Sequence, residues 1–291
     1  MRTSPEQATS ALIVRDSAEM KNVVEAIERI AGCDAPVLLQ GERGTGRELI
    51  ARAIHYRSAR STRNFVSVRA AIIPRPLIDD ELYGERFGTL RRANGGTLLL
   101  KDVGSLPRGP QKQLARLLSG RERATRPGKE GEALDVRVLA AVNADLEPAV
   151  DAETFDRELY AQLGALRLEI PPLRRRLHDL PKLCAMFVKD ACEELGRRRM
   201  TLSSDALDRL GQYPWPGNVA ELKDVARGLV EAARKKSTIS ASDVERVLPA
   251  IVQRVPVEEM PFEELVSAKL RSFLRRMEGY PLENLYDDVI A

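Results

Sequence analysis

Pro36-Val37-Leu38-Leu39-Gln40-Gly41-Glu42-Arg43-Gly44-Thr45-Gly46-Arg47-Glu48, followed at once by Leu49-Ile50, is the stretch on which the fold turns. Its opening apolar run suits a buried strand. Leu49, Ile50, Ala53 and Ile54 then recur at helical spacing. The glycines between them let successive backbone N–H groups turn toward one point, and a helix start adds the positive end of its dipole. A strand–loop–helix unit of this kind is built to cradle phosphate. Gly41, Glu42, Arg43, Gly44, Thr45, Gly46, Arg47 and Glu48 are therefore candidate nucleotide-contacting residues.

Outward from this unit the pattern repeats. Upstream, Met20, Val23, Val24, Ile27 and Ile30 mark a helix, with Asp16 or Ser17 as its N-cap. Downstream, Phe65-Val66-Ser67-Val68, Thr97-Leu98-Leu99-Leu100 after Gly95-Gly96, and Val136–Val142 read as strands. A helix carrying Leu114, Leu117 and Leu118 falls between the last two, and the polar Arg121–Glu132 reads as a hairpin or loop. Strands alternating with helices predict an α/β fold with a parallel sheet covered on both faces.

After Pro171-Pro172 only helical periodicity remains, as in Leu180, Leu183, Phe187, Ala191 and Leu195. Gly196 is placed as a C-cap, and Ser203 and Ser240 as helix starts. The predicted organisation is a disordered lead over 1–10, an α/β core over 11–172, a helical lid over 173–250, and a linker with an amphipathic helical tail over 251–291. In that tail Phe262, Leu265, Val266, Leu270, Phe273, Leu274 and Met277 share one face. A helix packed on its own domain and a dimer contact are both consistent with it.

Composition narrows the class. Of 291 residues, 43% are apolar and 31% charged, with 46 basic against 43 acidic side chains, a balance that does not argue for nucleic acid. The runs Arg174-Arg175-Arg176 and Arg197-Arg198-Arg199 are read as solvated surface or helix-end charge. Three cysteines and two histidines without CxxC or HExxH spacing give no metal site. No signal-type stretch or membrane-length apolar run is present, so a cytoplasmic location without membrane partners is expected.

Several segments together carry a family resemblance: Leu12–Met20, Gly41–His55, Glu81-Leu82-Tyr83-Gly84, Gly95–Gly104, Val136–Leu146, Phe155–Tyr160, Pro171-Pro172-Leu173-Arg174 and Trp215-Pro216-Gly217-Asn218-Val219. Over residues 12–250 the chain resembles the AAA+ ATPase domain of the sigma-54-dependent enhancer-binding transcription activators, the NtrC type. The resemblance implies a P-loop NTPase AAA+ domain with a five-stranded parallel sheet, a C-terminal helical lid, and ATP or ADP held between them at the junction of ring subunits. It also implies a nucleotide contact from Asn143.

The departures from that family carry further expectations. The usual loop lysine is Arg47, which keeps the charge on a larger planar fork. The usual Asp-Glu pair, which supports Mg²⁺ and activates water, is Lys101-Asp102. At ~4 Å and an effective dielectric of about 20, each unit charge pair is worth about 4 kcal/mol, so Lys101 opposes Mg²⁺ binding in the usual way. Two placements of Lys101 stand open: on the phosphates in place of the metal, or paired with Asp102 or pointing to solvent. Asp102 is the one remaining catalytic candidate, a methylene shorter than the usual glutamate.

The family's FREDLYYRL segment reads Phe155-Asp156-Arg157-Glu158-Leu159-Tyr160-Ala161-Gln162-Leu163. Its two trans-acting arginines become Asp156 and Gln162, and Arg157 is turned away by about 100° on a helix. The lid arginine after WPGNV is Ala220. Only Glu85–Asn94 lie between Gly84 and Gly95, where the family carries its GAFTGA loop, which argues against the usual sigma-54 contact. The chain stops before any helix-turn-helix pattern, which argues against direct DNA binding. Loss at so many coordinated positions points to a regulatory protein that binds nucleotide with little or no hydrolysis, as a homo-oligomer or with an active AAA+ relative. An active sigma-54-dependent ATPase and a nucleotide-free scaffold are the alternatives.

Overall fold

The computed structural model describes Thr9 and residues 12–84, 88–120, 134–233 and 237–248. The sequence-predicted lead, the 121–132 loop and the amphipathic tail lie almost wholly outside these residues.

The first helix, α1 (Ala18–Ala31), starts at Ser17, whose side chain accepts from the Met20 N–H, so the N-cap is Ser17 and not Asp16. Then come β1 (Val37–Gln40), α2 (Arg47–Tyr56), β2 (Phe65–Arg69), α3 (Ile78–Tyr83), α4 (Thr89–Arg92), β3 (Thr97–Lys101), α5 (Arg108–Leu118), β4 (Arg137–Val142), α6 (Glu147–Asp151), α7 (Arg157–Leu163) and β5 (Leu166–Glu169). The five strands form one parallel sheet in the order β2-β3-β4-β1-β5. Strand β5 has no apolar run of its own and pairs along β1 at the sheet edge.

Side chains alternate across the strands, and this builds two layers. Val37, Leu39, Leu99, Leu139 and Ala141 pack with Met20, Val23, Ile27, Ile50 and Ile54 of α1 and α2. Leu38, Leu98, Leu100, Val138, Ala140 and Val142 pack on the other face with Leu82, Leu114, Phe155 and Leu159. The apolar runs at 97–100 and 137–142 follow from burial on both faces.

The lid comprises α8 (Leu180–Glu194), β6 (Thr201–Leu202), α9 (Ser204–Gly211), α10 (Asn218–Ala232), β7 (Thr238–Ile239) and α11 (Ala241–Val247). It is not purely helical: β6 and β7 pair in parallel. Ser203 caps α9 with its side chain, Ser240 opens α11 in a capping box with Asp243, and Gly196 adopts φ +60° after α8. A separate cluster, with Trp215 fully enclosed among Cys184, Leu210, Tyr213 and Leu222, holds the lid together. Among the described residues no helix is long and apolar enough to cross a membrane.

Candidate functional site

The glycine loop leaves the C-terminal end of β1, an interior strand, and enters α2. Gly44 and Gly46 have φ of +79° and +99°, where a side chain would be strained. A Cβ on Gly44 would also lie 2.1 Å from the carbonyl oxygen of Gly217. Gly46 caps α2 without a side-chain hydrogen bond, which leaves the first N–H groups of the helix available to an anion. The buried Thr45 hydroxyl donates instead to the Glu42 carbonyl at 2.8 Å.

Arg47 begins α2 with its guanidinium half-buried. Its Nη1 is enclosed with no hydrogen-bond partner among the described residues. Burial lowers its pKa; the nearby Asp102 carboxylate raises it, while Arg43 and Arg69 push it down further.

At the end of β3, Lys101 takes neither of the non-phosphate placements expected of it. Its Nζ donates to Glu48 Oε2 at 2.7 Å, and its side chain is 23% exposed. Glu48 Oε1 also accepts from Arg52 at 2.9 Å. Burial pushes the Glu48 carboxyl up, but the hydrogen bonds from Lys101 and Arg52 hold it below its ordinary value. Lys101 does not pair with Asp102, because the chain leaves β3 after Lys101. Asp102 instead turns at φ +56°, donates its N–H to the Ala141 carbonyl, and faces Arg69 Nε at 3.5 Å. Register pairing of Arg69 with Lys101 brings that arginine to the site. Asn143, directly after β4, is exposed.

The lid closes on the other side of the loop. Asn218, fully buried at φ +55°, donates from Nδ2 to the Arg43 carbonyl at 3.0 Å and to Glu42 Oε2 at 3.1 Å, and accepts from the Leu173 N–H at 2.8 Å. The Ala220 N–H donates to the Gly44 carbonyl at 3.2 Å. Arg176 Nη2 donates to the Thr45 carbonyl at 2.9 Å. Arg174 holds the Glu42 carboxylate through both of its oxygens, at 2.8 and 2.5 Å. The Arg174 hydrogen bond, then that from Asn218, lowers the Glu42 pKa to about 2. Arg174 and Arg176 are thus loop anchors and not idle surface charge, a correction to the composition reading; Arg197, Arg198 and Arg199 are exposed. Sequence reasoning assigned no role to Asn218, Arg174 or Arg176, although Asn218 and Arg174 lie in segments that carry the resemblance.

Asp156 and Gln162, which the resemblance set against trans-acting arginines, serve local structure. Asp156 is the N-cap of α7, its carboxylate accepting from the Leu159 N–H at 3.0 Å. Gln162 lies on that helix and donates to Glu158 at 3.4 Å. Among the described residues no group of three or more His, Cys, Asp or Glu side chains converges to hold a metal.

Residues 13–169 match the family described as the Sigma-54 interaction domain, and residues 174–258 match the AAA+ ATPase lid domain. The DNA-binding transcriptional regulator NtrC of Rhizobium meliloti (strain 1021) is 33% identical over 298 residues, which cover 96% of this chain and 61% of that protein. The chain therefore spans about three fifths of the length of this relative. Among solved structures, NtrX from Brucella abortus in complex with ADP is 29% identical with a TM-score of 0.75, covering 92% of this chain and 64% of that one. The same protein in complex with ATP is 28% identical with a TM-score of 0.76, covering 89% and 61%.

Proposed function

The chain belongs to the Sigma-54 interaction family of AAA+ domains, and on that premise we propose that it is a regulatory member that holds ATP or ADP with little or no hydrolysis. Two lines support nucleotide binding: the glycine loop with its free helix start, and the likeness to NtrX, whose structures include complexes with ADP and with ATP. The observation that carries the loss of turnover is the Lys101–Glu48 contact at 2.7 Å. A cation fills the end of the cleft where a divalent metal would need carboxylates, so the residues present do not fit Mg²⁺. Asp102, the remaining carboxylate, is engaged by Arg69 and is poorly placed to take a proton from water.

The reading extends to assembly. A copy with Asp156 and Gln162 at the trans-acting positions supplies no cation to the phosphates of a neighbouring subunit. Loss of one such arginine costs about a thousandfold or more in rate. Joined to itself the protein forms a silent oligomer, and joined to an active relative it removes one functional junction per copy. The short connection from Gly84 to Gly95 supports a role that does not use the usual sigma-54 contact.

The test is to measure Mg²⁺-ATP turnover and nucleotide affinity on the same purified protein. The expected result is binding with turnover roughly a thousandfold or more below that of an active NtrC-type relative. Turnover at the relative's rate overturns the proposal. Absence of binding favours a nucleotide-free scaffold, the second reading, which is supported by the carboxylates of the cleft already being paired.

A further inference from the structure

The cleft holds more positive than negative side chains once its own pairs are counted. Lys101 is matched by Glu48 and Arg69 by Asp102, while Arg47 and Arg43 remain beside them. Burial disfavours the charge on Arg47, Asp102 favours it, and Arg43 and Arg69 both disfavour it. Its Nη1 is an enclosed donor without an acceptor, and such a group is satisfied when an anionic oxygen arrives. Toward a divalent cation the same surroundings are repulsive.

We propose that Lys101 stands in for the divalent cation, so that the chain binds a nucleoside di- or triphosphate as the metal-free anion. This rests on the nucleotide-binding reading above and specifies its chemistry. Without nucleotide, Lys101 is held on Glu48 Oε2. When the phosphates enter, Arg47 takes the enclosed position on one oxygen, and the Lys101 ammonium shifts from Glu48 to another. Glu48 keeps Arg52, which already donates to Oε1 at 2.9 Å, so the carboxylate is not left bare. Free nucleotide is thereby preferred over its magnesium complex, the reverse of what a carboxylate at position 101 would select.

The experiment is calorimetric titration of the whole chain with ADP and with ATP, once in EDTA and once in excess MgCl₂. Affinity in EDTA should equal or exceed that in MgCl₂. Lys101→Met should weaken binding in EDTA by roughly tenfold or more, with the melting temperature close to that of the wild type. Lys101→Asp should lose binding in EDTA and regain part of it with MgCl₂. Binding of the wild type only with MgCl₂ overturns this inference and leaves nucleotide binding standing. Binding in neither buffer overturns both. Unchanged EDTA affinity in a folded Lys101→Met protein also overturns it, because the lysine then does not touch phosphate.

Discussion

The two sides of the glycine loop are built on opposite principles. On the lid side, the carbonyls of Arg43, Gly44 and Thr45 each accept a hydrogen bond, from Asn218, the Ala220 N–H and Arg176, and the Glu42 carboxylate takes Arg174 and Asn218. On the sheet side, Arg47 Nη1 has no partner and Lys101 spans the cleft to Glu48. The lid side closes on the loop without any ligand, pairing backbone carbonyls that burial would otherwise leave bare. The sheet side carries the charges of the proposed phosphate site. The lid seam and the proposed nucleotide chemistry are therefore separable, since Arg47, Lys101 and Asp102 take no part in the hydrogen bonds that build the seam.

That separation can be broken by experiment. The largest effect is expected from Trp215→Ala, which empties the centre of the lid cluster and removes the Nε1 donor to the Leu210 carbonyl. A loss of about 3–5 kcal/mol is expected, read as a lowered denaturation midpoint. Asn218→Ala comes next. It leaves the Leu173 N–H and the Arg43 carbonyl without their partner and places alanine at positive φ. Roughly 2–4 kcal/mol is expected, with the loop released from the lid. Lys101→Met, across the loop, should cost less than about 1 kcal/mol, since it removes a partly exposed ion pair. If it unfolds the protein as readily as Asn218→Ala, the two sides are not independent.

The parts of this architecture that were legible in the sequence are those written in contiguous residues. Strands β1, β3 and β4 are near-continuous apolar runs because they are covered on both faces. Strand β5, Leu166-Arg167-Leu168-Glu169, is an edge strand whose alternation over four residues is too short to read. Strands β6 and β7 have two residues each. In the site, Gly41–Glu48 declares itself locally through its glycines. The anchors of the loop do not, since Arg174 reaches Glu42 from 132 residues away and Asn218 from 176. The partner of Lys101 was missed for the same reason. Its neighbour Asp102 is adjacent in the chain but lies past the end of β3 at φ +56° and faces Arg69, whereas Glu48 is 53 residues upstream and directly across the cleft.

Acid gives the smallest effect and the finest probe of the seam. The Glu42 pKa falls from an ordinary 4.5 to about 2 in the folded chain. A carboxyl depressed by folding contributes stability above its unfolded value, and that contribution is lost as pH drops through the folded value. The window therefore runs from about pH 4.5 down to about pH 2. Glu42 and Arg174 are 40% and 47% exposed, so solvent screening limits the contribution to under about 1 kcal/mol. Glu48, held below its ordinary value by Lys101 and Arg52, titrates in the same direction, so the wild type alone cannot isolate the seam. Comparison with Glu42→Gln does so: the wild type should melt higher at pH 6, and its advantage should shrink steadily as the pH falls through this window. An advantage that stays constant down to pH 2 would mean that the Arg174 contact adds nothing through charge, and that the hydrogen bonds of Asn218, the Ala220 N–H and Arg176 hold the loop to the lid.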